Sequence, residues 1–292
     1  MTHHARNAQE RPTHDAAAVS AIHKLYFAAV AALALWVGVW GYFLPQGIET
    51  AIPWPVPPLH ARFLGAMYLS GAAFMFGCLL ARRWDEVRVV VPMLGVWTGT
   101  LGIVSLLHLA EFDFGRSQSW VWFAAYAAFP VIAFWLAWRR RAIPSGGDGG
   151  PAQGGVLPAW VSRYLRAQGL AVTLLALALL LAPTAMSDLW PWPVTPLLAQ
   201  LYGAPFLAYG VGSLLLARET RWPPQRIAVA ATRVFAALVL LASLLHRALF
   251  SATELPDLLW FGALLVAVLA LGAIVGAGRR AMAATGPATS AP

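Results

Sequence analysis

Charge is what this chain has least of: Asp, Glu, Lys and Arg make up 11% of its 292 residues, against roughly 25% in soluble domains, while 60% are hydrophobic. So thin a supply cannot cover a water-facing surface, which excludes a soluble globule and makes the lipid bilayer the expected surroundings. Cysteine is nearly absent as well. Cys78 stands alone within an apolar run, so no intrachain disulfide can form, and the residue reads as a small buried hydrophobe. Carboxylates are missing from every apolar run. The 12 acidic residues fall in tails, loops or helix ends, which leaves no intramembrane proton relay of the kind ion-coupled transporters use. Nor is there a glycine-rich phosphate loop, a G-x-S-x-G or a CxxC, and no catalytic residue is assigned.

Basic residues do exceed acidic ones, for a formal charge of +8. They sit at the ends of apolar runs rather than along one stripe, which is a membrane pattern and gives no reason to expect nucleic acid as a partner.

What is present is a series of apolar runs, near residues 25–44, 63–80, 89–109, 120–138, 170–181, 198–216, 227–245 and 258–277. At 1.5 Å per residue a helix of about 20 residues crosses ~30 Å of hydrocarbon. The fifth run reaches that length when extended over 161–185.

One stretch occurs twice. Residues 53–69 and 191–207, offset by 192 − 54 = 138, are identical at 10 of 17 positions: Pro53, Trp54, Pro55, Val56, Pro58, Leu59, Ala61, Gly65, Ala66 and Leu69. The same offset matches Pro45 to Pro183, Trp84 to Trp222, Arg88 to Arg226, Ser105-Leu106-Leu107-His108 to Ser243-Leu244-Leu245-His246, Phe112 to Phe250 and Trp122-Phe123 to Trp260-Phe261. The expected fold is therefore an all-α integral membrane protein with eight transmembrane helices in two tandem four-helix repeats. Each unit has an even number of spans, so the two copies share one orientation.

The expected domains are a disordered tail (1–22), a first unit (23–141), a Gly-rich linker (142–160), a second unit (161–280) and a further tail (281–292). With the N-terminus inside, 16 of the 20 basic residues fall on the cytoplasmic side; the other four are Arg62, Arg116, Arg247 and Arg233. The positive-inside rule then makes both termini cytoplasmic and turns the Trp-Pro loops outward, in the plasma membrane.

Few residues offer chemistry. Trp54 and Trp192, stiffened by neighbouring prolines, form either a rigid cap at headgroup depth or a lid over an outward-facing cavity. Rows of small residues (Ala66, Ser70, Ala73, Gly77; Ala204, Ala208, Gly212) read as helix packing. His108 and His246 are a duplicated ionisable pair near the outer ends of their helices. They are either sites of function or interhelical hydrogen-bonding groups that each unit needs. Arg233 is the one charge well inside a run; it either snorkels or meets an anionic ligand.

The first copy is the more polar of the two. Its His60, Arg62, His108, Glu111 and Asp113 stand where the second has Leu198, Gln200, His246, Leu249 and Ser251. The ligand site is therefore expected in the first half, from residues 53–68 and 105–116, with Arg62 pairing Glu111 or Asp113. No metal-ligand spacing is present, and no cofactor is assigned. A divalent metal, or haem held between His108 and His246, is the alternative.

Each half, with Ala61-Arg62-Phe63-Leu64-Gly65-Ala66 opening its second span and four short spans in all, resembles the small four-helix bacterial membrane proteins of the DoxX-like kind. The resemblance covers one half at a time and departs in the second copy, where Gln200 replaces Arg62. It implies no particular activity, since that group's biochemistry is loosely defined. A composition rich in alanine, and in arginine over lysine, suits a bacterium with GC-rich DNA. The function expected first is the binding or transport of a small apolar or lipid molecule at an outward-facing cavity. The alternatives are a membrane redox or metal enzyme using His108 and His60, and a structural subunit of a membrane complex. The oligomeric state is not readable.

Overall fold

The computed structural model describes residues 18–141 and 155–284. Most of the expected tails and linker lies outside these ranges. Among the described residues the chain is helical: α1 (Ala21–Phe43), α2 (Pro58–Leu80), α3 (Val90–Leu107), α4 (Ser117–Arg139), α5 (Ala159–Leu181), a short α6 (Pro183–Leu189), α7 (Pro196–Leu216), α8 (Trp222–Leu245) and α9 (Leu255–Ala283). All except α6 are long and apolar enough to cross a membrane, which makes eight candidate spans and fits a multi-pass membrane protein.

Proline chemistry sets several boundaries. Pro58 and Pro196 open α2 and α7, where a missing N–H costs nothing, and Thr195 Oγ1 accepts from the Leu198 amide (3.3 Å). Helix α8 starts five residues before the apolar run at 227, because Pro223 and Pro224 fit its first turn. Helix α9 runs to Ala283, past Ala281 where a tail was expected, as the helix formers Ala281, Met282 and Ala283 allow. The expected tail and linker are also docked where they become visible: the Val19 amide donates to Arg82 O (3.1 Å), and the Leu157 amide to Thr220 O (2.9 Å). The helix starts at 21 and 159, 58 and 196, and 117 and 255 are each 138 apart, which is the offset of the sequence matches.

The helices pair across the sequence midpoint. The adjacent pairs α1 with α2, α3 with α4, α5 with α7 and α8 with α9 each pack along their length. In addition α2 packs on α8 and α3 on α7, so the second span of each half lies against the third span of the other. The small-residue rows serve this crossing. A Cβ on Gly77 would come within 2.7 Å of Ile227, and one on Gly212 within 2.3 Å of Met93.

Ion pairs reinforce the crossing at the end of the bundle that carries the docked segments near 18 and 156. Arg88 Nη2 donates to Glu219 Oε2 (2.5 Å) and Arg226 Nη2 to Glu86 Oε2 (2.5 Å). Arg88 and Arg226 are repeat equivalents, and each reaches a carboxylate of the other half.

Candidate functional site

At the opposite end of the bundle four of the eight expected site residues, His60, Arg62, His108 and His246, are engaged in bonds between the halves. Arg62 Nη1 donates to His246 Nε2 at 2.6 Å, and His108 Nε2 lies 2.6 Å from Gln200 Oε1. The Gln200 amide nitrogen is committed to Leu180 O (2.8 Å), so its oxygen faces His108 as an acceptor and His108 must be the donor. Positions 62 and 200 are repeat equivalents, as are 108 and 246. The duplicated histidine thus makes the same crossing twice but takes opposite roles, accepting from an arginine in one place and donating to a glutamine in the other. Burial, and then the Arg62 guanidinium beside it, hold the His246 pKa below the ordinary histidine value, in keeping with an unprotonated Nε2.

This arrangement corrects the expected pairing of Arg62 with Glu111 or Asp113. Both carboxylates are exposed, and Asp113 Oδ1 accepts from the Gly115 amide (2.8 Å), closing a local turn. Its equivalent, Ser251, accepts from the Thr253 amide (3.2 Å), so both copies make this turn with different side chains. His60 Nδ1 meets the Tyr202 hydroxyl (2.7 Å), a third contact between the halves. No three His, Cys, Asp or Glu side chains converge among the described residues, and His108 and His246 face separate partners rather than each other.

Trp54 and Trp192 also have matched surroundings. Trp54 packs edge-on against Phe112 and Trp122, and Trp192 against Phe250 and Trp260. The two supporting indoles donate to Ser105 Oγ (2.8 Å) and Ser243 Oγ (3.0 Å). Duplicated Trp, Phe and Ser residues therefore build one aromatic cap in each half. Arg116 secures the first loop through Pro53 O (3.0 Å) and Glu49 O (2.5 Å). Arg233 is exposed and lies over Gly272 of α9.

Open space lies elsewhere in the first half, between α1 and α4. Two cavities adjoin there and share Leu33, Tyr68 and Tyr126 as lining. The outer one, about 220 Å³, begins among Thr50, Ser117 and Gln118 and passes Trp36 and Trp122. The inner one, about 50 Å³, continues past Gly71, Met93, Trp97 and Thr98 to Tyr209 of α7. The groove thus runs from the end of the bundle opposite the docked segments into its interior.

Its hydroxyl groups are unevenly satisfied. Ser70 Oγ donates to Ala231 O (3.1 Å), so the Tyr209 hydroxyl 2.7 Å away must donate to Ser70. Tyr68 and Tyr126 hydrogen-bond to each other, which uses one of their two protons. The second O–H remains to be donated, in a pair that lines both cavities.

None of these aromatics is singled out by the motifs and charges of the sequence. Comparing the copies would have singled them out: Tyr68, Tyr126, Trp97 and Thr98 correspond to Phe206, Leu264, Phe235 and Ala236. The second half has at each of these four positions a side chain without the polar atom. No family model, curated protein or solved structure matches this chain, so the chemistry of the groove is the ground for a functional reading.

Proposed function

We propose that the protein binds a small apolar or lipid molecule in the groove between α1 and α4, and that it is a duplicated four-helix unit of the plasma membrane with both termini cytoplasmic. The excess of arginine at the end of the bundle nearest the termini supports that orientation, and the matched helix starts support the duplication. The groove then opens toward the outer leaflet.

The observation that carries the reading is the Tyr68–Tyr126 pair. A hydroxyl proton without an acceptor is costly in a membrane interior. A pair that lines a groove and keeps one proton to donate suits an elongated apolar ligand carrying a carbonyl, ether or hydroxyl oxygen. The duplicated histidines are assigned to holding the halves together, and the duplicated tryptophans to capping each half.

Gly71 supplies the test. A Cβ there meets only ordinary contacts, the nearest at 3.6 Å from Trp97, and the equivalent position in the second half is occupied by Tyr209. Gly71→Leu should fill the inner groove while leaving the fold intact. Mass spectrometry of organic extracts from purified protein should show a species enriched over bulk lipid in the wild type and depleted in Gly71→Leu. Identical extracts from the two folded proteins would refute the reading.

A further inference from the structure

The other end of the bundle carries a second, differently built cavity. It is about 370 Å³ and lies where the α2–α3 connection, the end of α4 and the end of α7 meet. Among the described residues four arginines line it, Arg88, Arg140, Arg141 and Arg218, with one carboxylate, Glu219. That carboxylate is already engaged by Arg88 at 2.5 Å. The other described acidic groups at this end, Asp85 and Glu86, pair with Arg83 and Arg226. Its walls toward the spans are apolar, with Val89, Pro92, Ala137 and Leu215 below the arginines and the buried Trp84 beside them.

We infer that this cavity binds the phosphate of an anionic phospholipid, with the guanidinium groups around the headgroup and the first acyl carbons against Val89, Pro92, Ala137 and Leu215. Arginine forks match phosphate oxygens in pairs, and four of them line this one cavity. Burial, and then the neighbouring Arg139, hold the Arg140 pKa below its ordinary value. An apolar wall that begins where the arginines end is the profile of a headgroup with its chains attached, whereas a free anion would leave that wall wet. Basic cavities between spans at a membrane surface commonly hold such headgroups. Arg140 and Arg141 come from the first half and Arg218 and Glu219 from the second, so an occupant would bridge the two halves at the end where Arg88–Glu219 and Arg226–Glu86 already do.

The test uses full-length protein, delipidated in a neutral detergent, with thermal unfolding followed as lipid is titrated in. Phosphatidylglycerol should raise the midpoint in a saturable way, and phosphatidylcholine should not. Arg140→Gln with Arg218→Gln should weaken the apparent affinity for phosphatidylglycerol about tenfold or more, as expected for losing charged hydrogen bonds. The charge-matched control, Arg279→Gln with Arg280→Gln, removes two arginines near the end of α9, outside the cavity, and should leave the affinity unchanged. Arg218 is exposed at the end of its helix, so Arg218→Gln alone gives the same reading if the double variant aggregates. Equal losses in cavity and control variants would overturn the site in favour of diffuse attraction. Stabilisation by phosphatidylcholine equal to that by phosphatidylglycerol would remove the anionic requirement. A full shift with millimolar inorganic phosphate would show that the cavity serves a free anion and not a lipid.

Discussion

Gly65→Ala should separate a backbone-to-backbone helix contact from its counterpart in the other copy. An added methyl at Gly65 would sit 2.3 Å from the Tyr42 backbone nitrogen, 2.7 Å from the Gly41 carbonyl carbon and 2.8 Å from Tyr42 Cα. Ordinary carbon contacts fall near 3.5–4.0 Å, so α1 and α2 would have to part by about 1 Å. Backbone cannot rotate away, and these two helices form the most extensive pairing in the bundle. The cost should reach the upper part of the overpacking range, about 3 kcal/mol. At the repeat equivalent Gly203 the nearest atoms are Leu180 Cγ at 2.7 Å and Cδ2 at 3.0 Å, with Ala176 O at 3.3 Å. A leucine can change rotamer, so Gly203→Ala should cost about 1 kcal/mol. The difference, about 2 kcal/mol, is roughly thirtyfold in the unfolding equilibrium. Denaturant titration in detergent micelles, read by near-ultraviolet circular dichroism, resolves it. A Gly65→Ala protein as stable as wild type, or more stable than Gly203→Ala, would refute the backbone-to-backbone approach.

Three further outcomes are expected. The His246 pKa is depressed in the folded protein, so the unfolded chain binds the extra proton first. Stability should therefore be complete at neutral pH and fall as pH drops past the unfolded value of about 6.5, a slope that His246→Gln should flatten in pH-dependent melting. Residues 1–150 and 151–292, expressed as separate chains, should co-purify, because α2 against α8 and α3 against α7 hold the halves together; a tagged first half recovered alone would show that the covalent connection is needed. Trp122→Phe and Trp260→Phe should each lose about 1 kcal/mol from the indole hydrogen bond, and an effect at only one of them, measured by the same denaturant titration, would deny the two caps equal weight.

The eight spans were legible from the sequence because crossing a bilayer is a property of one local run: its length and its lack of charge suffice, whatever it packs against. The 138-residue offset was legible for a similar reason, since identities such as Trp54 with Trp192 need no fold to be seen. Reading the small-residue rows as packing followed from backbone proximity, and Gly77 and Gly212 do lie at contacts between the halves. The partners of the polar residues were another matter. Arg62 and His246 are 184 positions apart, and His108 and Gln200 are 92 apart, so only the mutual placement of the halves brings them together. The greater polarity of the first copy suggested Glu111 and Asp113 for Arg62. The bundle instead set Arg62 against a histidine whose copy donates to a glutamine. The same holds for the groove: Tyr68 and Tyr126 lie 58 residues apart on helices that the sequence leaves unordered around the bundle. Whether their hydroxyls face lipid, protein or a cavity depends on how α1 and α4 stand apart. Hydropathy determines that a helix crosses the membrane; side-chain packing between helices determines which face it shows and to what.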